Sequence, residues 1–320
     1  MKIIILGGVG FLGINLVYRC LEDADNQVTV LDSLDPRFKS DIHNLDRVKS
    51  KISFIKADIC DSRTMNKVVQ DKDVIFNCAA QTSHPLSLID PILDAKINCI
   101  GNLTVLESIR KHNPKVKIIF TASSTSIGKA RFINVDEGHV ERPLDIYSAN
   151  KGVAEKYYFI YHKVYGLKTL SLRFANLFGP YGKGLPDFGF INYFIYQALH
   201  HKEIPIYGSG SQMRNVMYVK DAVDLLYKAI YYDNLFGEIY FAVHREHYSV
   251  RSIAKAIIEV FGKGVIKKIP WPEMRKKIEI NDIIINGEKL FLDTKWKPKY
   301  SLKQGLIETK KIIESLSALT

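Results

Sequence analysis

Hydrophobic and polar positions alternate in blocks along the first half of the chain. Short runs of Val, Ile, Leu and Phe are separated by longer segments in which apolar residues recur every three or four positions. The short runs are typical of strands in a parallel sheet that is covered on both faces, and the longer segments are typical of amphipathic helices. The predicted strands are Lys2–Leu6, Gln27–Leu31, Ile52–Ala57, Val74–Ala79, Val116–Thr121 and Leu167–Phe174. Helical spacing covers Gly13–Asp23, Cys99–His112 and Asn150–Tyr165.

This repeated strand–helix alternation predicts an α/β fold, a Rossmann-type doubly wound parallel sheet. After Phe174 the alternation loosens into a glycine-rich stretch at residues 179–184, with further helices near Ile191–His200 and Val250–Phe261. We therefore expect residues 1–175 to form the doubly wound domain. Residues 176–320 are expected to form mainly a smaller mixed α/β region, with some segments returning to the first domain.

Composition narrows the class of protein without identifying it. The hydrophobic fraction of 47% and the charged fraction of 25% are those of a globular chain. The net charge of +11 comes from scattered lysines, so it predicts a solvated surface and no nucleic-acid partner. No apolar stretch reaches the roughly 20 residues that span a bilayer, and Met1–Leu16 lacks a signal-peptide cleavage site, so no membrane association is expected. The four cysteines stand in apolar segments without C-x-x-C spacing, which favours reduced thiols, no metal and a cytoplasmic location: Cys20, Cys60, Cys78 and Cys99.

A glycine-rich turn follows the first predicted strand. The sequence Gly7-Gly8-Val9-Gly10-Phe11-Leu12-Gly13 joins Lys2–Leu6 to a helix, which is the context in which such glycines let a backbone approach a pyrophosphate. The second strand leads to Asp32, roughly twenty residues further on, where a carboxylate can bind an adenosine ribose and would repel a 2′-phosphate. The pattern predicts a dinucleotide site that prefers NAD to NADP, a preference that Arg37 would weaken if it folded back.

A candidate catalytic group follows the fifth predicted strand. Tyr147 and Lys151 are four residues apart at the start of a helix, so their side chains share one helical face. An ammonium near a phenol lowers the pKa of the phenol and makes it a proton acceptor. Ser123 stands at the end of the preceding strand, although a Y-x-x-x-K pair alone is weak evidence in a chain with many tyrosines and lysines.

Taken together, these residues resemble the extended short-chain dehydrogenase/reductase family, particularly its nucleotide-sugar epimerases. The similarity covers nearly the whole chain. It rests on Gly7-x-x-Gly10-x-x-Gly13, Asp58-Ile59, Asn77-x-Ala79-Ala80-Gln81, Asn98, Ser123, Tyr147-x-x-x-Lys151, Arg173-Phe174-x-Asn176 and Arg214-Asn215.

The resemblance implies roles for these positions. It makes residues 1–175 an NAD-binding domain and residues 176–320 mainly a substrate-binding region, in a homodimer formed through helices. It implies that Tyr147 removes the proton of a sugar hydroxyl, that Lys151 holds ribose, and that Ser123 orients the hydroxyl, with Ser124 or Thr125 as the alternative if the register differs. The implied NAD contacts are Gly7, Gly10, Phe11, Leu12, Gly13, Asp32, Asp58, Ile59, Ala79, Ala80, Gln81, Asn98, Tyr147, Lys151 and Phe174. The implied contacts to a nucleoside-diphosphate sugar are Ser123, Asn176, Tyr207, Arg214 and Arg275.

Similar dehydratases carry an Asp-Glu pair where this chain has Ser124-Thr125, so the sequence favours a UDP-hexose 4-epimerase that acts through a transient 4-keto sugar. Residues 80–91 also resemble CDP-tyvelose 2-epimerases, which keeps a C2 epimerase open. A ketosugar reductase would use the same three residues, whereas the intact group argues against an NAD-binding regulatory protein. Many 4-epimerases have an arginine before a Gly-Asp where residues 275–282 read differently, so the second diphosphate contact stays open. His84 stands close to the expected place of the sugar, but as a lone histidine beside Pro85 it is interpreted as a turn residue.

Overall fold

The computed structural model describes residues 1–132 and 134–317. The strands are β1 (Lys2–Leu6), β2 (Gln27–Asp32), β3 (Ile52–Lys56), β4 (Val74–Asn77), β5 (Lys117–Ser123), β6 (Asn134–Val135), β7 (Lys168–Phe174), β8 (Asn176–Phe178), β9 (Glu203–Tyr207), β10 (Met213–Tyr218), β11 (Ile239–Ala242), β12 (His247–Ser249), β13 (Val265–Ile269) and β14 (Ile284–Ile285). The α-helices are α1 (Phe11–Cys20), α2 (Ser62–Val68), α3 (His84–Ile89), α4 (Pro91–Ala95), α5 (Asn102–His112), α6 (Ile146–Tyr165), α7 (Phe190–Leu199), α8 (Val219–Ala229), α9 (Val250–Phe261), α10 (Glu273–Lys277), α11 (Glu288–Thr294) and α12 (Leu302–Ser317). A π-helical segment, Lys96–Gly101, leads into α5, and short 3-10 segments cover Pro36–Phe38, Ile42–Lys51, Ser124–Ile127 and Asp233–Leu235.

The chain divides into two compact units, each built from several stretches of sequence. Unit 1 comprises Met1–Ser126, Asp145–Arg173 and Val223–Tyr240. Unit 2 comprises Ile127–Leu144, Phe174–Ala222 and Phe241–Thr320. Residues 223–240 therefore rejoin the first part of the chain, and residues 127–144 leave it.

The large sheet has the Rossmann-type strand order. Its seven strands run β11-β7-β5-β4-β1-β2-β3, and the pairings from β5 to β3 are all parallel. The strand order reverses between β1 and β4. From β1 the sheet continues to β2 and β3 in one direction, and from β4 it continues to β5 and β7 in the other. In open α/β sheets, ligands bind at the carboxyl ends of the strands at such a switch point. The loops after β1 and β4 are those that carry the predicted cofactor residues.

The six strands predicted from hydrophobic runs are all present, with ends that differ by at most two residues. The largest extension is in β5, which continues to Ser123 and so places that residue on the last position of a strand. The predicted α/β, doubly wound fold is confirmed. The short strands of the second half were not predicted, because two- and three-residue strands such as β12 and β14 carry too few positions to show a period.

Apolar packing on both faces fixes the sheet of unit 1. Ile3, Ile4, Ile5 and Leu6 of β1 are all fully buried, as expected for a strand covered by helices on each side. Helix α6 begins at a cap formed by Asp145, whose side chain accepts from the Ser148 amide, and ends at Gly166 with a left-handed φ of 69°. Its fully buried Tyr158 stacks on Phe120 of β5, with ring centroids 4.5 Å apart. This packing holds the start of α6 against the end of β5.

Unit 2 contains three small sheets. They are β12-β10-β8, β13-β9 and β14-β6. A separate apolar cluster that includes Ile127, Val135, Phe241, Ile283 and Ile285 packs around the β14-β6 pair. In the first sheet, Asn176 of β8 lies opposite Val216 of β10, so residues of these two strands are held side by side.

Candidate active site

The glycine turn after β1 leaves no room for side chains. Gly7 has a left-handed φ of +73°, and a Cβ there would lie 2.6 Å from the backbone of Ala79. A Cβ on Gly13 would lie 2.2 Å from the carbonyl oxygen of Gly7. Helix α1 starts with Phe11 and Leu12, and neither a capping side chain nor an acidic residue occupies its first turn. Its N-terminal amides are therefore oriented for an anion, as a bound pyrophosphate requires.

Asp32 joins this turn to the end of β2. Its side chain is buried, and its two oxygens accept the amide hydrogens of Val9 at 3.0 Å and Leu34 at 2.9 Å. Each carboxylate oxygen keeps a further lone pair for a ribose hydroxyl. Arg37 does not fold back onto Asp32, because its guanidinium pairs with Asp35 at 2.6 Å. Arg37 therefore does not place a positive charge beside Asp32, which is the contact that would have weakened the expected preference for NAD.

The predicted contacts after β3 lie in the same unit. Asp58 turns the chain by accepting the Cys60 amide at 2.9 Å, and Ile59 is buried. A Cβ on Gly101 would lie 2.6 Å from the Ile59 side chain, so the π-helical segment packs tightly there. These residues are thus held in place by the fold, at the carboxyl end of β3.

The loop after β4 contains a polar network centred on Asp94, which the sequence analysis missed. The Asp94 carboxylate is fully buried and accepts from three amide side chains: Gln81 at 2.7 Å, Asn98 at 3.1 Å and Asn150 at 2.8 Å. Asn98 also donates to the main-chain carbonyl of Gln81 at 3.0 Å. The Gln81 side chain is therefore already hydrogen-bonded within the protein, so a contact from Gln81 to a cofactor has to come from its backbone. Asp94 gave no signal in the sequence, since an aspartate in an Asp-Pro-Ile-Leu-Asp stretch is typical of a helix start.

Asn98 leaves one polar atom without a protein partner. Its Oδ1 is buried and accepts no hydrogen bond from the residues that the structure describes. An unpaired buried acceptor is costly unless a ligand or water supplies the donor.

Ser123, Tyr147 and Lys151 are brought together where β5 ends and α6 begins. The Ser123 hydroxyl is close enough to the Tyr147 phenol to lower its pKa, and Ser123 Oγ lies 2.8 Å from the hydroxyl of Thr125. The Lys151 ammonium donates to the carbonyl of Thr121 at 2.6 Å and lies 4.1 Å from the centre of the Phe120 ring. All three predicted residues are thus anchored to the same strand, although Lys151 is held by the backbone of β5 and not by the phenol.

The electrostatics differ from the expectation that Lys151 lowers the pKa of Tyr147. Burial raises the pKa of the Tyr147 phenol, against an opposing effect of the nearby Ser123 hydroxyl, and the carboxylates of Asp145 and Asp94 raise it further. Burial lowers the pKa of Lys151 to about 8, although Cys78, Asp94 and Glu155 oppose that shift. Desolvation outweighs charge pairing in this site because both side chains are almost completely enclosed.

His84 is not the turn residue that its neighbour Pro85 suggested. It is the first residue of α3, its Nδ1 lies 2.7 Å from Asp145 Oδ2, and its ring meets the Tyr147 ring edge to face at 4.8 Å. The signal for this contact was weak, because His84 and Asp145 are 61 residues apart in sequence.

The predicted substrate residues of unit 2 all have protein partners. Arg214 of β10 pairs with Glu279 at 2.5 Å and donates to the carbonyl of Asn281 at 2.6 Å. Arg275 pairs with Asp187 at 2.6 Å. The two predicted arginines are therefore each matched by a carboxylate.

The other predicted residues of unit 2 lie on its strands or at their ends. Asn176 donates to the carbonyl of Asn215 at 2.9 Å, which keeps its side chain beside β10. Tyr207 ends β9 and stacks against Trp271, with ring centroids 5.1 Å apart. Phe174 ends β7 and is 5% exposed, so little of its side chain is free for a cofactor.

Residues 1–132 and 134–317 contain no group of three or more His, Cys, Asp or Glu side chains arranged to hold a metal ion. No helix in the described chain is long and apolar enough to cross a membrane. The four cysteines are free thiols.

Comparison with known proteins adds independent evidence. The chain is 31% identical over 231 residues to a UDP-glucose 4-epimerase of Mycolicibacterium smegmatis, which covers 72% of this chain and 73% of that protein. It is 28% identical over 254 residues to a CDP-paratose 2-epimerase of Salmonella typhi, which covers 72% and 75% of the two chains. The structure of a UDP-glucose 4-epimerase from Thermotoga maritima with UDP-glucose superposes with a TM-score of 0.88 at 27% identity, covering 99% of this chain and all of that one. A family model described as "NAD dependent epimerase/dehydratase family" matches residues 3–240. The chain therefore belongs to the NAD-dependent epimerase/dehydratase family.

Proposed function

We propose that the protein is a nucleotide-sugar epimerase, and specifically a UDP-hexose 4-epimerase that works through a transient 4-keto sugar with tightly held NAD. The observation that carries this proposal is the grouping of Ser123, Tyr147 and Lys151 at the end of β5, without a carboxylate at the two positions that follow Ser123. The hydroxyl-bearing pair Ser124-Thr125 supplies no acid and base for eliminating water. The similarity to UDP-glucose 4-epimerases supports the same reaction.

The residues present fit NAD. The glycine turn and the uncapped start of α1 suit a pyrophosphate, and Asp32 at the end of β2 suits an adenosine ribose. The unpaired, buried Oδ1 of Asn98 is an acceptor that a bound molecule can use. Bound NAD supplies the hydride acceptor and donor, so that oxidation and reduction of the sugar balance within one cycle.

The residues of the protein handle the proton that accompanies this exchange. Ser123 positions a sugar hydroxyl, and the Tyr147 oxygen takes its proton as the C–H hydrogen leaves with its electron pair. The raised pKa of Tyr147 means that the phenol holds its proton at neutral pH in the ligand-free protein. The phenolate therefore needs a positive charge nearby, and Lys151, with a pKa of about 8, is mostly charged at pH 7. When the ketone is reduced again from its other face, Tyr147 returns the proton.

For substrate binding, we propose that Arg214, Arg275, Asn176 and Tyr207 of unit 2 receive the nucleoside diphosphate. A guanidinium matches phosphate oxygens, and Tyr207 offers an aromatic face to a base. Because Glu279 already pairs with Arg214, a bound phosphate has to compete with that carboxylate.

A C2 epimerase acting on a CDP-linked sugar is the second candidate. The relationship to a CDP-paratose 2-epimerase at 28% identity favours it, together with the resemblance of residues 80–91 to CDP-tyvelose 2-epimerases. Both reactions use the same hydride exchange and differ in the carbon presented to Tyr147.

We also propose that the protein is a cytoplasmic homodimer that associates through α6. Apolar side chains on this helix are exposed in the single chain, among them Val153 at 37%, Ile160 at 46% and Val164 at 63%. Ile100, on the π-helical segment of the same unit, is 54% exposed. Covering these side chains with a second copy would remove apolar surface from water.

The test is to incubate the NAD-loaded protein with UDP-glucose, UDP-N-acetylglucosamine, their C4 epimers and CDP-sugars, and to resolve the products by chromatography and NMR. Interconversion of C4 epimers that is lost in Tyr147→Phe would support the leading proposal. Inversion at C2 of a CDP-sugar would favour the second candidate. Accumulation of NADH or of a stable keto sugar would refute both epimerase assignments.

A further inference from the structure

A histidine–carboxylate pair that the proposed mechanism does not use lies against the proposed proton acceptor. His84 Nδ1 is 2.7 Å from Asp145 Oδ2, and the His84 ring contacts the Tyr147 ring edge to face, with centroids 4.8 Å apart and planes at 73°. All three residues belong to unit 1. The pair is therefore part of the immediate surroundings of Tyr147.

Helix capping does not account for this pair. Ser83 caps α3 by accepting the Leu86 amide at 3.2 Å, without help from His84. Asp145 caps α6 through its other oxygen, Oδ1, which accepts the Ser148 amide at 2.8 Å. A cap needs one acceptor oxygen, which Asn or Ser would supply equally well. The second carboxylate oxygen and the imidazole are free to serve another purpose.

The pair fixes the proton of the imidazole. Asp145 is a carboxylate, because its contacts with His84 and the Ser148 amide lower the pKa of its carboxyl despite burial. A carboxylate only accepts hydrogen bonds, so Nδ1 of His84 carries a hydrogen that points to Asp145, and Nε2 is the ring nitrogen left to meet a ligand. No residue among those described hydrogen-bonds to Nε2, and the His84 side chain is 31% exposed while that of Asp145 is 6% exposed. The arrangement is a buried carboxylate that orients a reachable imidazole.

We infer that His84 is a further substrate-contacting residue, which uses Nε2 to accept a hydrogen bond from a sugar hydroxyl close to the carbon that is oxidised. This inference rests on the proposed function, since it requires a sugar to lie at Tyr147. The ligand class is a vicinal hydroxyl of the hexose, and the nucleotide plays no part in the contact. Asp145 acts as a positioning residue, because it acts through the imidazole.

The experiment separates the sugar from its carrier. His84→Phe keeps an aromatic ring against Tyr147 and removes both nitrogens, while Asp145→Asn keeps the α6 cap and removes the charge. The matched control is His43→Phe, since His43 forms a 3.0 Å pair with Asp46 on the exposed surface of the same unit. For each NAD-loaded variant, KM and kcat are measured with the UDP-sugar that the wild type epimerises, and the Kd of UDP is measured by calorimetry.

We expect His84→Phe to raise KM for the UDP-sugar about tenfold, as loss of one hydrogen bond to a sugar does, and to leave the Kd of UDP within about twofold. Asp145→Asn should raise KM by about threefold, and His84→Gln, which restores an acceptor, should fall between His84→Phe and wild type. His43→Phe should match the wild type.

Other results would overturn the inference. If His84→Phe matches His43→Phe, or weakens UDP as much as the UDP-sugar, His84 has no contact with the hexose. If His84→Phe fails to bind NAD, the variants Asp145→Asn and His84→Gln still test the inference. Unchanged KM values for the UDP-sugar in both variants would exclude a contact between His84 and the hexose. A wild-type protein that binds NAD but converts no sugar would refute the proposed function, and with it this inference, whereas a wild-type KM for the UDP-sugar in His84→Phe refutes the inference alone.

Discussion

Replacing Glu279 by Gln tests whether Arg214 is the anchor for the diphosphate. The Glu279 carboxylate lies 2.5 Å from the Arg214 guanidinium, and the two side chains are 18% and 12% exposed. A phosphate bound to the remaining donors of Arg214 would lie roughly 5 Å from that carboxylate. At an effective dielectric constant of about 20, two unit negative charges at that distance repel each other by about 3 kcal/mol. Partial exposure and salt reduce the repulsion to about half, so Glu279→Gln should tighten UDP binding by ~1.4 kcal/mol, about tenfold in Kd.

Titration calorimetry of the NAD-loaded protein with UDP measures this effect directly. The matched control is Glu203→Gln, which removes the same charge from an exposed pair with Lys267 in the same unit. Arg214→Gln should weaken UDP binding, and the gain in Glu279→Gln should shrink as salt is added. An unchanged or larger Kd in Glu279→Gln, with a normal content of NAD, would refute the assignment of Arg214 to the diphosphate.

Three further predictions concern unit 1. Burial lowers the pKa of Lys151 from 10.5 to about 8, so the unfolded chain binds more protons between these values and wild-type stability rises with pH across that window. In urea unfolding at pH 7, Lys151→Met should therefore be more stable than the wild type by ~2 kcal/mol, a value that allows for the lost hydrogen bond to Thr121. This difference in the free energy of unfolding should shrink above pH 8, and a difference that stays constant with pH would contradict the prediction. Asp32→Ser should weaken NAD and raise the ratio of NADP to NAD affinity at least about tenfold in fluorescence titrations, and an unchanged ratio would exclude a ribose contact. Ile160→Glu should convert the proposed dimer to a monomer in light-scattering chromatography. The control Gln70→Glu adds the same charge at an exposed position outside α6 and should leave the dimer intact, so dissociation in both variants would point to general repulsion.

Local sequence patterns predicted the fold well and placed the candidate residues Tyr147 and Lys151 on one helix, because both features depend on short-range regularities. Buried runs such as Lys2–Leu6 show the sheet directly, and the four-residue spacing of Tyr147 and Lys151 places them on one helical face. Their pKa values were not predictable in the same way. The shift at Tyr147 is dominated by burial, and burial depends on residues from several distant segments.

Contacts between charged side chains were the hardest to predict. Arg214 and Glu279 are 65 residues apart, and His84 and Asp145 are 61 residues apart. In the first pair, Arg214 is noticeable in the sequence as a possible site residue, whereas Glu279 looks like an ordinary surface charge. In the second pair, Asp145 looks like a helix cap. The spacing of a motif says nothing about such pairs, since they form only when the tertiary structure brings two loops or strand ends together.

The buried network around Asp94 shows how such a distant contact acts on the proposed catalytic residue Lys151. A buried carboxylate without a cation is costly, and here three amide donors from Gln81, Asn98 and Asn150 satisfy it while leaving its charge uncancelled. That remaining charge attracts the Lys151 ammonium and opposes the effect of burial on its pKa. Without it, the pKa of Lys151 would fall further below 8 and less of the lysine would be charged at pH 7. The side chain of Gln81 therefore holds the Asp94 carboxylate in place by donating to it at 2.7 Å, and a role through its side chain at the cofactor is not needed to explain its presence.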